Sequence, residues 1–269
     1  MGFFDSMKAN QLGMRAYRMH VSAMQMRKAG KYDQSEEKLA QAIKMYDEAY
    51  AMGFRKSNVL QGYALLLMRR GEFEKAREVM LECSKDKGMS PENRLTLRVD
   101  YSICQWKMGK LDKAIETIRN AAQSKKNGTI YTTLGMFLVE QARQTGEFEE
   151  ALRFNEEALE YDDEDAGVLD NVGQLYLLMA EKAKADGDEA SAEEHWKKAL
   201  DAFQKARSEK PDQISSNYFL AKMLHADGED EKARQVLDDT LKIPFSSLLQ
   251  VTREQVEALR REVAEKTYR

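Results

Sequence analysis

Apolar residues return at a 3.6-residue period along most of the chain, as in Leu60, Tyr63, Ala64 and Leu67. That spacing puts them on one side of a helix. The periodic stretches are broken at Gly30, Gly71, Gly109, Gly146, Gly187 and Gly228, at intervals of 41, 38, 37, 41 and 41 residues. Four of these glycines share a context: Gly30-Lys31-Tyr32, Gly71-Glu72-Phe73, Gly109-Lys110-Leu111 and Gly146-Glu147-Phe148. With only three prolines in 269 residues, the pattern predicts helices throughout and no sheet.

The positions after each glycine are in phase as well. Five residues on stand Ser35, Ala76, Ala114, Ala151, Ala192 and Ala233; nine on, Leu39, Met80, Ile118, Asn155, Trp196 and Leu237. Twelve on stand Ala42, Cys83, Ala121, Ala158, Ala199 and Thr240. The small residues at plus five and plus twelve are seven apart, so they share a helical face and admit a close neighbour. The larger residue at plus nine fills the space between successive units. A glycine ending one helix adopts the left-handed backbone that turns the chain back. Each unit therefore reads as a helical hairpin that buries its apolar face only by stacking on the next. The count is six hairpins and a closing helix, thirteen helices in all.

Tyr131-Thr132-Thr133-Leu134-Gly135 and Val172-Gly173-Gln174-Leu175-Tyr176 match the first half of a tetratricopeptide repeat. Gly146-Glu147-Phe148-Glu149-Glu150-Ala151, Ala199-Leu200-Asp201-Ala202-Phe203 and Lys210-Pro211-Asp212 match its second half and close. The chain thus resembles the tetratricopeptide repeat family over about residues 15–242. The glycine spacing exceeds the family's 34 residues, which implies lengthened helices in hairpins one, four and five. The resemblance implies an all-α, right-handed superhelix, a single domain over residues 1–269, serving as a protein-binding scaffold. In that family the first helix of each hairpin lines the concave surface. Carried over, this gives Asn58, Gln61, Leu65, Met68 and Arg69 from hairpin two, and Val99, Asp100, Ile103, Trp106 and Lys107 from hairpin three. Hairpin four gives Thr132, Met136 and Glu140; hairpin five, Asp170, Asn171 and Gln174; hairpin six, Tyr218, Lys222 and His225. Some members grip a C-terminal carboxylate with a Lys/Asn/Arg set, but Gly62 and Asp100 stand here where amides would serve that purpose.

The ends read as special. On the helix predicted over residues 1–29, Phe3, Met7, Met14, Tyr17, Val21 and Met24 form one stripe. Leu12, Met19 and Met26 form a second on roughly the opposite side. One stripe packs on the partner helix; the other, Leu12, Met19 and Met26, is either covered by the packing of the long helices or meets a partner, a second copy of the chain or a membrane surface. A closing amphipathic helix is predicted over residues 247–267, with a charged outer face as a cap requires.

Charge changes the picture only in part. Residues 1–126 carry 24 Lys/Arg against 15 Asp/Glu, and residues 127–269 carry 18 against 31. A basic half and an acidic half suit steering or head-to-tail contact. The overall balance of −4 argues against general nucleic-acid binding. Candidate chemistry is sparse. His20, His195 and His225 have no second ligand at helical spacing, and Gly109-Lys110 is followed by Leu111, unlike a phosphate loop. Cys83 holds a packing position, and no nucleophile, acid–base pair, cofactor site or metal set emerges. The longest apolar run, Tyr63 to Met68, is far short of a membrane span, and the start lacks a secretory pattern. Met1-Gly2 with Ser6 fits the short N-myristoylation pattern. The expectation is a non-enzymatic, cytoplasmic scaffold that binds a protein or peptide along its concave side. The alternatives are self-assembly or membrane attachment through the first helix.

Overall fold

The computed structural model describes residues 3–123 and 126–267, so Met1-Gly2 and the side chain of Phe3 lie outside the described residues. Among the described residues the regular structure is helical: α1 (Phe3–Lys28), α2 (Tyr32–Ala51), α3 (Ser57–Arg69), α4 (Phe73–Ser84), α5 (Pro91–Lys107), α6 (Leu111–Ala122) and α7 (Gly128–Thr145). They continue with α8 (Glu149–Tyr161), α9 (Ala166–Ala185), α10 (Glu189–Glu209), α11 (Ile214–Ala226), α12 (Asp230–Thr240) and α13 (Arg253–Thr267). The six punctuating glycines all adopt left-handed backbone, with φ between 73° and 80°. The long arms predicted for hairpins one and five are present in α2, α9 and α10. Contacts divide the chain into two compact units, Met1–Gly109 with Ser246–Leu248, and Lys110–Phe245 with Leu249–Arg269.

In the first unit α1 packs along α2, and α3 lies beside α1, α2, α4 and α5. The buried face of α1 is a row of small residues, Ala9, Gly13, Ala16 and Ala23, joined by His20. A Cβ at Gly13 would stand 2.7 Å from the Phe54 ring, so glycine is what lets Phe54 reach the helix. Small side chains bring α2 close, and the larger ones flank the contact. This corrects the expected division of α1. Leu12 and Met19 pack on the core of this unit, Met26 is half-buried, and the exposed apolar row is Met7, Tyr17 and Val21. Deeper in, Tyr46 stacks on Tyr63 at 5.1 Å between ring centroids. Tyr63 donates to Asp47, which also takes Lys75 at 2.6 Å.

In the second unit α7 packs on α6, α8 and α9, and α9 on its long partner α10. The repeat positions are buried as their sizes demand: Ala114, Ile118 and Ala121 on α6; Ala151, Asn155 and Ala158 on α8; Ala233, Leu237 and Thr240 on α12. Asn155 and Thr240 are the polar exceptions; the Asn155 amide donates to Ala151 O at 2.9 Å and the Thr240 hydroxyl to Val236 O at 2.7 Å. The last helix begins at Arg253, six residues later than the amphipathic pattern suggested. Thr252 and Gln255 form a reciprocal cap: Thr252 Oγ1 accepts from the Gln255 N–H at 3.3 Å, and Gln255 Oε1 accepts from the Thr252 N–H at 2.8 Å. That pairing fixes the helix start. Val256, Leu259 and Val263 then bury against α11 and α12, and residues 246–250 stay outside the helix.

Candidate functional site

The first helices of the hairpins carry the candidate surface, and each unit holds its own part of it. On α3, Asn58, Gln61, Leu65 and Arg69 are three to four residues apart and share one half-exposed or exposed side. Met68 is fully buried, since the next position on a helix turns by about 100°; it belongs to the core. Gln61 Nε2 donates to Asn93 O at 3.4 Å, tying α3 to α5. On α5, Asp100, Ile103, Trp106 and Lys107 are half-buried, while Val99 is buried and leaves the surface. Burial raises Asp100 to about 6 and lowers Lys107 to about 8. Lys107 Nζ lies 4.3 Å from the Trp106 ring centre, a cation–π contact.

Behind α3 two buried polar atoms lie where no sequence motif announces them. His20 Nδ1 and Tyr46 Oη are buried and make no hydrogen bond. A Cβ on Gly62 would meet the His20 ring at 3.2 Å, so glycine makes the room for the imidazole. Burial, and then the charge of Arg69, lowers the His20 pKa, which keeps the ring neutral.

In the second unit Thr132, Met136 and Glu140 of α7 and Tyr218 of α11 are half-buried, and Lys222 of α11 is exposed and pairs with Glu181 at 3.1 Å. The α9 residues behave differently from expectation. Asp170, Asn171 and Gln174 are all buried. Asn171 Nδ2 donates to Thr132 O at 2.9 Å and ties α9 to α7. Asp170 Oδ1 accepts from Ser216 Oγ at 2.8 Å and its Oδ2 from Gln174 Nε2 at 2.9 Å. Burial raises Asp170 to about 6 despite these donors. Gln174 Oε1 accepts from Arg143 at 3.0 Å, and its amide meets the side chain of Gln250 at 2.9 Å. Gln250 precedes α13 and covers the row. His225 is buried too, with Nδ1 paired to Asp230 and Nε2 3.7 Å from Glu262. It joins α11, α12 and α13 and offers no groove surface. Arg143, Ser215 and Gln250 are the site residues that sequence reasoning missed. The apolar cluster Phe245, Leu248, Leu249 and Val251 between two helices was the available signal that this stretch packs.

Beside this row an open hollow of about 560 Å³ is lined by Thr129, Thr132, Asp165, Lys210 and Gln213, among others. Among the described residues no cluster of His, Cys, Asp and Glu has the grouping of a metal site. No described helix is long and apolar enough to cross a membrane. Cys83 and Cys104 are buried thiols; burial pushes Cys83 up to about 12, which keeps it protonated.

Comparison with known proteins agrees with this architecture. A family model, "Tetratricopeptide repeat", matches residues 184–244. No curated protein sequence gives a significant match. A thermophilic tetratricopeptide protein from Thermus thermophilus superposes with a TM-score of 0.58 at 17% identity, covering 80% of this chain and 100% of that one. A tetratricopeptide repeat protein from Parabacteroides merdae gives 0.52 at 12% identity, covering 94% and 88%. The monomeric mutant of IFIT1 with Gppp-AAAA gives 0.62 at 15% identity, covering 86% of this chain and 51% of that one. At such identities the likeness is one of fold. The described residues share the all-α fold of helical hairpins seen in these tetratricopeptide repeat structures, and residues 184–244 match the repeat itself.

Proposed function

We propose that the protein is a non-enzymatic scaffold that binds a protein or peptide on the first-helix, concave faces of its hairpins. Tetratricopeptide repeat proteins are in general protein-interaction scaffolds. The observation that carries the reading is the row of side chains kept out of the core on successive first helices. Each unit carries its own part: Asn58, Gln61, Leu65 and Arg69 on α3 with Asp100, Ile103, Trp106 and Lys107 on α5 in the first, and Met136 and Glu140 on α7 in the second. Apolar anchors among polar groups of both signs suit a peptide that brings its own hydrogen bonds. Affinity capture from the native host tests this. Leu65→Glu with Met136→Glu is expected to cut partner recovery at least tenfold. Leu81→Glu, on the exposed side of α4, is expected to leave it unchanged. Equal recovery by both variants would refute the assignment.

A second reading rests on α1. Met7, Tyr17 and Val21 form an exposed apolar row, and Lys8, Arg15 and Arg18 flank it. Self-association or attachment to an anionic membrane through this helix follows from such a face. Sedimentation of the full chain at low salt, alone and with anionic liposomes, separates the two, and a monomer that stays in the supernatant removes both.

A further inference from the structure

The second unit holds a buried polar cluster that the chain's own side chain completes. Asp170 and Gln174 lie four residues apart on the first-helix side of α9, with Ser215 and Ser216 opposite on α11. Asp170 accepts from the Gln174 amide nitrogen, and Arg143 donates to the Gln174 amide oxygen. Each end of that amide is therefore held by a group of fixed polarity, and its orientation is set. It presents a donor and an acceptor side by side. Gln250 takes both: Gln174 Nε2 donates to Gln250 Oε1 at 2.9 Å, and Gln250 Nε2 donates back to Gln174 Oε1 at 3.5 Å. Ser215 Oγ adds a third bond to Gln250 Oε1 at 3.3 Å.

We infer that this cluster is a recognition subsite for a primary-amide side chain, Gln or Asn, of a bound peptide, and that Gln250 occupies it as a tethered stand-in. The inference rests on the concave-surface reading above and names what one part of that surface selects. The chemistry excludes other side chains. A carboxylate has no donor to return to Gln174 Oε1 and would lie near the Asp170 carboxyl. An ammonium has no acceptor for Gln174 Nε2 or the Ser215 hydroxyl. An apolar group would return none of the bonds that Gln250 makes to Gln174 and Ser215, and sites built to hydrogen-bond a ligand reject analogues that lack the matching groups. Gln250 also sits on backbone that can leave. It precedes the Thr252 cap, outside α13, so its departure unwinds no helix. The half-buried Leu249 and the buried Val251, on either side of Gln250, pack on the core of this unit and hold it in place.

Fluorescence anisotropy with a labelled decapeptide of the chain's own residues 243–252 tests the inference on the full-length protein. A second probe carries Ala at the position of Gln250. Leu249→Ser with Gln250→Ala releases the strap, and far-UV circular dichroism confirms that helix content is kept. The released chain is expected to bind the first probe at least tenfold tighter than the wild type does, and to bind the Ala probe at least fivefold more weakly than the first. Adding Gln174→Ala is expected to abolish that preference. A released, folded chain that binds neither probe, or binds both alike, overturns the inference. Failure of the concave reading shows up separately. There, partner capture is insensitive to Leu65→Glu with Met136→Glu, whatever the two probes do.

Discussion

Asp170 gives the second unit a pH dependence of definite sign. Burial lifts its carboxyl from 3.8 to about 6. The folded chain therefore holds a proton there at a pH where the unfolded chain has released it. The stability linked to this group is fully present below the unfolded pKa and is lost as pH rises through about 6. A tenfold change in proton affinity is worth about 1.36 kcal/mol, so the whole effect is roughly 3 kcal/mol at most. The charged group nearest in the network is Arg143, which acts through the Gln174 amide. Asp170→Asn removes the ionisation and keeps an acceptor for the Ser216 hydroxyl. It loses the acceptor for Gln174, a cost of about 1 kcal/mol that does not depend on pH. Urea unfolding followed by circular dichroism, from about pH 4 to about pH 7, reads the difference between the two chains. The variant is expected to gain about 2–3 kcal/mol on the wild type across that range. A difference that stays flat with pH would refute the argument that burial, and not the hydrogen bonds, dominates at Asp170.

Other outcomes follow from single contacts. Gly13→Ala puts a methyl 2.7 Å from the Phe54 ring, and a thermal melt should show a loss of about 1–3 kcal/mol from overpacking. Thr252→Ala breaks the reciprocal cap and should cost about 1 kcal/mol, seen as faster amide exchange in the first turn of α13. Cys83, buried and shifted to about 12, should resist thiol reagents at neutral pH in the native chain and react once the chain is unfolded in urea.

The hairpin architecture was legible because each hairpin needs a turn glycine and small residues at fixed distances, and those distances are visible in one dimension. The surface was legible only where helix phase is uniform. On α3 the row Asn58, Gln61, Leu65 and Arg69 follows directly from spacing, and the error at Met68 is one residue of rotation. On α9 the expected row Asp170, Asn171 and Gln174 is buried, in part because residues from far along the chain cover it. Gln250 is 76 positions from Gln174, and no local pattern announces that contact. On α1 the largest apolar side chains drew the eye, while Ala9, Gly13, Ala16 and Ala23 make the close contact. Size sets how near two helices come, and hydrophobicity alone does not reveal it.

The most direct test of the scaffold reading is the footprint of a captured partner by hydrogen exchange. Protection confined to α3, α5, α7 and α11, with α4, α6, α8 and α10 unchanged, is what a first-helix binding face predicts. Protection on the second helices, with α3 and α7 exchanging as in the free chain, would contradict it.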